Sequence, residues 1–569
     1  MTSRAAPPLW HMYVPKLVTV LREGYGLKKF GKDTVAGLTV AIVALPLAMA
    51  LAIASGTTPD KGLVTAIVAG FVISALGGSR VQIGGPTGAF VVVVFNVIAQ
   101  HGYDGLVVAT LMAGVMLIAA GLMRLGVIIK YMPQPVVTGF TSGIALIIFS
   151  SQIKDFFGLV MAKVPADFLQ EWAAYLENWQ SFQPVTLAVA AGSLFLIMLL
   201  RRFAPKMPAF LFAVVAGSLA VAAFHLQVDT IGSRFGGIPN TLPVPHLPAI
   251  TFGHLKELLP SAFTIAFLAG IESLLSAVVA DGMTGYRHRS NCELVAQGIA
   301  NLASAFFGGL PATGAIARTA TNIRSGAKSP VAGLMHAVFL LVFMYCLAPL
   351  ASYVPLASLA AVLIMVAWGM SEIERFLHLL KAPRGDMLVL LVTFGLTALV
   401  DLTKAIEVGV VLAAMLFMYR MAGAVEIQTS NQIIMGDTDD FRRRAGDIQD
   451  LRKQLPKDVE MFQFNGPFFF GAVSQLADVM ARAEKWPRAY ILDLTRVPLL
   501  DASGASALDE FIRRCRRNRT QVVICGLRGQ PRTVARNMGL IGGADIQVTD
   551  TFHEAVKITE LSGSASARR

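Results

Sequence analysis

Cysteine, charge and any metal-binding pattern are what this chain has least of. Its 569 residues include four cysteines, Cys292, Cys346, Cys515 and Cys525. They form no CxxC pair and no cluster with histidine or carboxylate, so neither redox nor zinc chemistry is indicated, and no metal or cofactor is expected. Charged residues make up only 15% of the chain, too few for an ordinary soluble protein. Basic residues stand early, at Lys16, Arg22, Lys28, Lys29 and Lys32. The apolar run after them is too long for a signal peptide and lacks a cleavage site, so no cleaved leader is expected. A net charge of +12 raises nucleic acid as a partner. Cytoplasmic loops of a membrane protein account for it better, because Lys and Arg accumulate there.

What is abundant is apolar sequence, 55% of the residues, with a mean hydropathy of +0.62. A helix needs about 20 apolar residues to cross the hydrocarbon core. Such windows fall near 33–55, 60–78, 104–123, 132–153, 184–200, 207–226, 257–281, 291–307, 330–350, 356–370, 386–400 and 404–422. Two shorter pieces lie near 86–100 and 313–324, for about fourteen segments in all. With that count, Arg80, Arg124, Lys130, Arg201, Arg202, Lys206, Arg287, Arg289, Arg324, Lys328, Arg375, Lys381, Arg384 and Arg420 share the side of the basic amino terminus. Only scattered ones such as Lys61, Lys154, Lys163 and Lys404 fall opposite. Both termini are therefore expected in the cytoplasm, with the spans in an inner (plasma) membrane and lipid around them. "DFLQEWAAYLENW" (Asp167 to Trp179) reads as an amphipathic helix on the outer surface, Trp172 and Trp179 at the interface.

Two phrases interrupt the apolar runs in nearly the same words: "GGPTGA" (Gly84 to Ala89) and "GGLPATGA" (Gly308 to Ala315). Broken helices are tolerated in a membrane only where they line a protein-enclosed cavity. Transporters with inverted repeats place such breaks at corresponding positions of both halves. Each phrase here follows two spans, and the topology runs the two half-helices in opposite directions. Their amino termini then face each other, each bringing roughly half a positive charge and free N–H donors, which makes an anion site. The plain alternative is that Gly and Pro only kink or pack the helices.

Two ionisable residues fall within spans of the second half. Glu272 lies mid-span, and Arg318 stands about a turn into the half-helix of "ATGAIARTATN". Charges at such depth are expected to face a cavity or the protein interior. Arg318 adds a full positive charge to the helix-end site. Glu272 repels an anion when ionised and accepts its company when protonated, which couples proton and anion movement. Ser276, one turn on, shares the face of Glu272. The plain alternative is a Glu272–Arg318 ion pair that staples two helices.

After Arg420 the chain turns polar, and 424–455 reads as a linker. Pieces such as "AYILDLTRV", "GASALDEFIRRCRRN" and "QVVICGL" then alternate strand and helix character, which argues a small α/β domain.

In "TVAGLTVAIVALPLAMALAIASG", "QIGGPTGAFVVVV", "AGIESLLSAVVADGMTGYRHRSNCELVAQGIAN" and "FFGGLPATGAIARTATNIRSGA" the chain resembles the sulfate permease (SulP) family of anion transporters. Its end resembles the STAS domain in "FNGPFFFGA" and "ILDLTRVPLLDASGASAL". The resemblance implies a polytopic α-helical protein in a seven-plus-seven inverted repeat, a core domain moving against a gate domain, and a homodimer. It implies a cytoplasmic segment 1–32, a transporter domain 33–423, a STAS domain 456–560 and a disordered tail 561–569. The anion site implied between the third and tenth helices brings in Thr87, Gly88, Ala89, Thr313, Gly314, Ala315 and Arg318. Related bicarbonate carriers use an aspartate and a threonine for sodium where this chain has Glu272 and Ser276, which favours protons here. The wording looks most like bacterial carriers of C4-dicarboxylates.

Ser503 matches the serine that anti-sigma antagonists of the STAS type have phosphorylated; otherwise it caps the helix that follows. The expectation is therefore a proton-driven secondary transporter for a small anion, sulfate or dicarboxylate, and no enzyme. The alternatives are a sodium-coupled bicarbonate carrier and a passive anion channel. A third possibility is a regulatory platform whose STAS domain binds a cytoplasmic partner such as acyl carrier protein.

Overall fold

The computed structural model describes residues 9–126, 132–161, 164–165, 167–205, 207–246, 252–400, 402–423, 426–429, 433–434, 455–456, 458–469, 486–541 and 546–566. Lys130, Lys163 and Lys206, used above for orientation, lie outside them. Two compact units, Met1–Val411 and Leu412–Arg569, divide the chain.

The first half of the helical unit comprises α1 (Leu27–Ala54), α2 (Pro59–Leu76), the two-residue strand β1 (Gly84–Gly85), α3 (Ala89–Leu122), α4 (Gln134–Ser151), α5 (Pro184–Phe203) and α6 (Ala209–Phe224). The second half comprises α7 (Phe252–Thr284), α8 (Ser290–Phe306), strand β2 (Thr313–Gly314), α9 (Ile316–Arg324), α10 (Val331–Ala351), α11 (Leu356–Met370), α12 (Arg384–Leu399) and α13 (Leu402–Gly423). Within α3, Gly102 takes φ 71° and ψ −178°. That non-helical residue parts a half-helix from a full span, so each half has seven segments. Prolines open α2 and α5 in their first turn, where a missing N–H costs nothing.

Small residues bring the central helices together. A Cβ on Gly114 of α3 would lie 2.9 Å from the Gly298 carbonyl of α8, and one on Gly298 would lie 2.5 Å from the Gly114 carbonyl. Backbones meet there, the packing that membrane helices use in place of a hydrophobic drive.

The amino-terminal segment is ordered against this unit. Lys16 N–H donates to the Gly77 carbonyl at 3.0 Å, and Arg289 Nη1 donates to Val14 O (2.6 Å) and Thr19 Oγ1 (2.9 Å). The amphipathic helix is present as Phe168–Glu177, capped by the Asp167 carboxylate. It is more deeply seated than its pattern implies. Trp172 donates to Ser150 Oγ at 3.0 Å instead of standing free at an interface, and Tyr175 and Glu171 are buried together. Burial pushes the Glu171 carboxyl up to about 7.

The second unit carries a six-stranded sheet ordered β4–β3–β5–β6–β7–β8, from β3 (Glu426–Thr429), β4 (Ile433–Ile434), β5 (Val459–Asn465), β6 (Ala489–Arg496), β7 (Gln521–Cys525) and β8 (Gln547–Thr549). The last four run parallel, and β3 is antiparallel to both its neighbours. β3 and β4 fall in the segment read as a linker, so part of that linker is sheet; four- and two-residue strands are too short to leave a periodic signal. Another piece of that alternation, "SQLADVMARAE", which the sequence reads as a helix, lies outside the described residues. A final helix, Phe552–Ser566, also runs six residues into the expected disordered tail.

Candidate functional site

The two repeated phrases meet. β1 and β2 pair antiparallel, Gly84 opposite Gly314 and Gly85 opposite Thr313, and Ala315 N–H donates to the Ile83 carbonyl at 2.8 Å. Each strand leads straight into a helix amino terminus, α3 at Ala89 and α9 at Ile316. One glycine of this crossing is required by its backbone, and a second sits close to a neighbouring side chain. Gly85 has φ 151°, and a Cβ there would lie 2.6 Å from Arg318 Nη1; a Cβ on Gly88 would lie 2.5 Å from Met370 Sδ of α11.

Arg318 is 2% exposed. Its Nη2 donates to the Pro86 carbonyl at 3.1 Å, so an arginine of the second half holds the backbone of the first. Its Nε and Nη1 are buried without a protein acceptor among the described residues. A buried cation with free donors is an arrangement an anion completes.

Thr87 answers from the other side. Its hydroxyl donates to Glu272 Oε2 at 2.7 Å. Arg318 and Glu272 thus flank the same Pro86–Thr87 turn without an ion pair between them among the described residues. The stapling alternative does not describe this site.

The remaining expected residues divide. Gly88 and Ala89 are buried where α3 begins. Thr313 is fully buried, its hydroxyl donating to the Ala269 carbonyl at 2.8 Å. It fastens β2 to α7. The Ala315 amide is spent on Ile83, so the unsatisfied first-turn amides of α9 are those after it, beginning at Ile316, which is 40% exposed. Ser276 does not join Glu272. It donates to Thr319 Oγ1 at 3.1 Å, and Thr319 in turn accepts the Ile83 N–H at 3.0 Å. In the second unit Asp501, not Ser503, caps the helix Ala502–Arg517, its carboxylate accepting the Gly504 N–H at 2.7 Å. Ser503 is left exposed in the first turn.

Sequence reasoning missed a buried polar spine behind the crossing. Glu293 accepts from Gly78 N–H (2.8 Å), Ser273 Oγ (3.1 Å) and Gln297 Nε2 (2.9 Å). Gln82 Nε2 donates to Ser273 Oγ at 3.1 Å, and Asn301 clamps Ala312 through Nδ2 to its carbonyl (2.8 Å) and Oδ1 from its amide (2.9 Å). The signal was there: Glu293, Gln297 and Asn301 recur every four residues on one face of α8. Their role is to hold the extended chain rigid before β2.

Comparison with known proteins agrees with this architecture. The model of the sulfate permease family matches residues 30–393, and that of the STAS domain matches residues 451–555. A putative sulfate transporter of Bacillus subtilis, YvdB, is 41% identical over 520 residues, 91% of this chain and 95% of its own. The bicarbonate transporter BicA of Picosynechococcus is 32% identical over 518 residues, 88% of this chain and 89% of its own. Among solved structures, the transmembrane domain of a cyanobacterial BicA superposes with a TM-score of 0.61 at 32% identity, covering 67% of this chain and 98% of that one. The murine Slc26a9 anion transporter, captured inward-facing, shares the fold with a TM-score of 0.83 at 18% identity, covering 99% and 96%.

Proposed function

The chain belongs to the sulfate permease family, and from that premise we propose that it is a secondary active carrier of a small dianion, sulfate or a C4-dicarboxylate, driven by protons through alternating access. That it is a multi-pass membrane anion transporter with a STAS domain follows from the family. The hydrogen bond from Thr87 to Glu272 carries the finer reading. With Glu272 ionised, the Thr87 hydroxyl proton is committed to the carboxylate, and a negative charge stands beside the anion's place. Protonation removes that charge and frees the Thr87 hydroxyl to turn toward an anion held by the α3 and α9 amino termini and Arg318. The anion therefore favours the protonated carrier, and loss of the proton favours release.

The test is flux into proteoliposomes. An inward proton gradient drives sulfate or fumarate above its equilibrium level in this reading. Uptake that never exceeds equilibrium would instead mark a passive channel. A sodium-coupled bicarbonate carrier is the second reading, favoured by the resemblance to BicA along most of the chain; uptake of bicarbonate that needs sodium and ignores the proton gradient selects it.

We assign the carrier to the inner membrane with both termini cytoplasmic, and to a homodimer in lipid. In the STAS domain, exposed Ser503 is the candidate phosphorylation site, where a phosphate would push against the Asp501 carboxylate that caps the same helix, and the domain is the surface for a cytoplasmic partner. Deleting the residues after about 440 leaves basal transport and removes that regulation.

A further inference from the structure

His336 of α10 is fully buried, and neither ring nitrogen has a hydrogen-bond partner among the described residues. Fully buried polar groups are rarely left so, and each needs an explanation. Nε and Nη1 of Arg318 are likewise buried without a hydrogen-bond partner among the described residues. Packing links their two helices through Ile83, whose N–H is accepted by Thr319, the residue after Arg318. A Cβ on Gly85 of β1 would meet both Arg318 Nη1 and Ala66 of α2. Gly333, one turn before His336, abuts Ser74 of α2 and Ile83 at the entry to β1, and the His336 amide itself faces Gly37 of α1. Arg318 and His336 thus both approach the layer between α2 and β1, behind the crossing strands.

We propose that His336 positions Arg318 for the anion, through water held between a free imidazole nitrogen and the free guanidinium N–H groups. The inference rests on Arg318 being the anion's cationic partner. A guanidinium presents five N–H donors in a rigid plane, and the bond to Pro86 secures only one end of it. The rest need an acceptor, since a buried charged group left unsatisfied is costly. A carboxylate would supply one but would also neutralise the cation and compete with the anion. A neutral imidazole accepts one hydrogen bond and adds no negative charge, so it satisfies the guanidinium while leaving its charge for the ligand. A bridging water with donors on one side and an acceptor on the other has the partners it needs.

The experiment uses the full-length protein in proteoliposomes and in detergent, with sulfate, fumarate, bicarbonate and chloride as probes. In His336→Phe, KM for the transported anion rises about ten-fold while the maximal rate stays within about two-fold, since a positioning residue acts on binding. His336→Gln, which keeps a donor and an acceptor, returns KM to within about three-fold of the parent. A folded His336→Phe protein with unchanged KM makes His336 a packing residue and overturns the proposal. Should that variant not fold, nitrogen-15 NMR of histidine-labelled parent protein decides. The imidazole signals missing from His336→Gln move when the anion is added, and signals indifferent to every anion that binds overturn the proposal equally. A parent protein that binds none of the four anions fails at the earlier step, bringing down the anion-site reading itself and this inference with it.

Discussion

The break at Pro86–Gly88 opens a 34-residue helix that bends again at Gly102, whereas the break at Thr313–Ala315 opens a helix of nine residues carrying Arg318 in its first turn. Their backbones are near equivalents, paired strand to strand with Gly84 opposite Gly314. Their side chains are not. The first contributes a hydroxyl, Thr87, that reaches across to Glu272 of the other half. The second contributes the guanidinium that reaches back to Pro86. In the proposed carrier, symmetry of the backbone makes the place for an anion, and asymmetry of the side chains supplies charge on one side and a titratable gate on the other. A pair of helix ends alone binds an anion weakly, each contributing at most about 1–2 kcal/mol; the arginine is what raises the site above that.

That contrast can be broken from either side. Arg318→Ala removes the buried cation of the crossing and is expected to cost about a hundredfold in anion affinity, read as KM in uptake and as loss of the anion's thermal shift. Glu272→Gln keeps the Thr87 contact in a neutral form. Anion exchange between the two sides of the membrane survives, while accumulation driven by a pH gradient disappears; normal uphill uptake in this variant would end the proton-coupling reading.

Next come the paired glycines. Gly85→Ala places a Cβ against Arg318 Nη1 at a φ of 151° that alanine avoids, a strain of about 1–3 kcal/mol, and it lowers affinity together with thermal stability. Gly314→Ala pushes Gln82 Nε2 off Ser273 Oγ, so stability falls here too while anion affinity holds. Equal losses in the two would mean the halves are energetically alike. The smallest effect belongs to Thr313→Val, which leaves the Ala269 carbonyl without its donor. It costs about 1 kcal/mol of stability and leaves KM unchanged, since that hydroxyl faces α7 and not the ligand.

Much of this was legible without coordinates. Hydropathy located the spans because each must bury about 20 residues in hydrocarbon by itself, and the two breaks declared themselves through Gly and Pro, whose backbone effects are local. Arg318 and Glu272 stood out because a charge at that depth demands a reason. Ser276 misled because helical spacing puts it on the face of Glu272, yet Thr319 on α9 claims its hydroxyl. Of the two readings of Ser503 only the capping alternative failed, because Asp501 two residues earlier holds the capping geometry.

The amino-acid sequence by itself determined the number of segments, the inverted placement of the two breaks, and the α/β character of the second unit. These follow from periodicity and composition acting within one stretch of chain. The tertiary structure alone decided that β1 pairs with β2 and that Arg318 turns to Pro86 rather than to Glu272. Partners hundreds of residues apart meet only when helix packing brings them there, and a side chain's direction is set by the neighbour it meets.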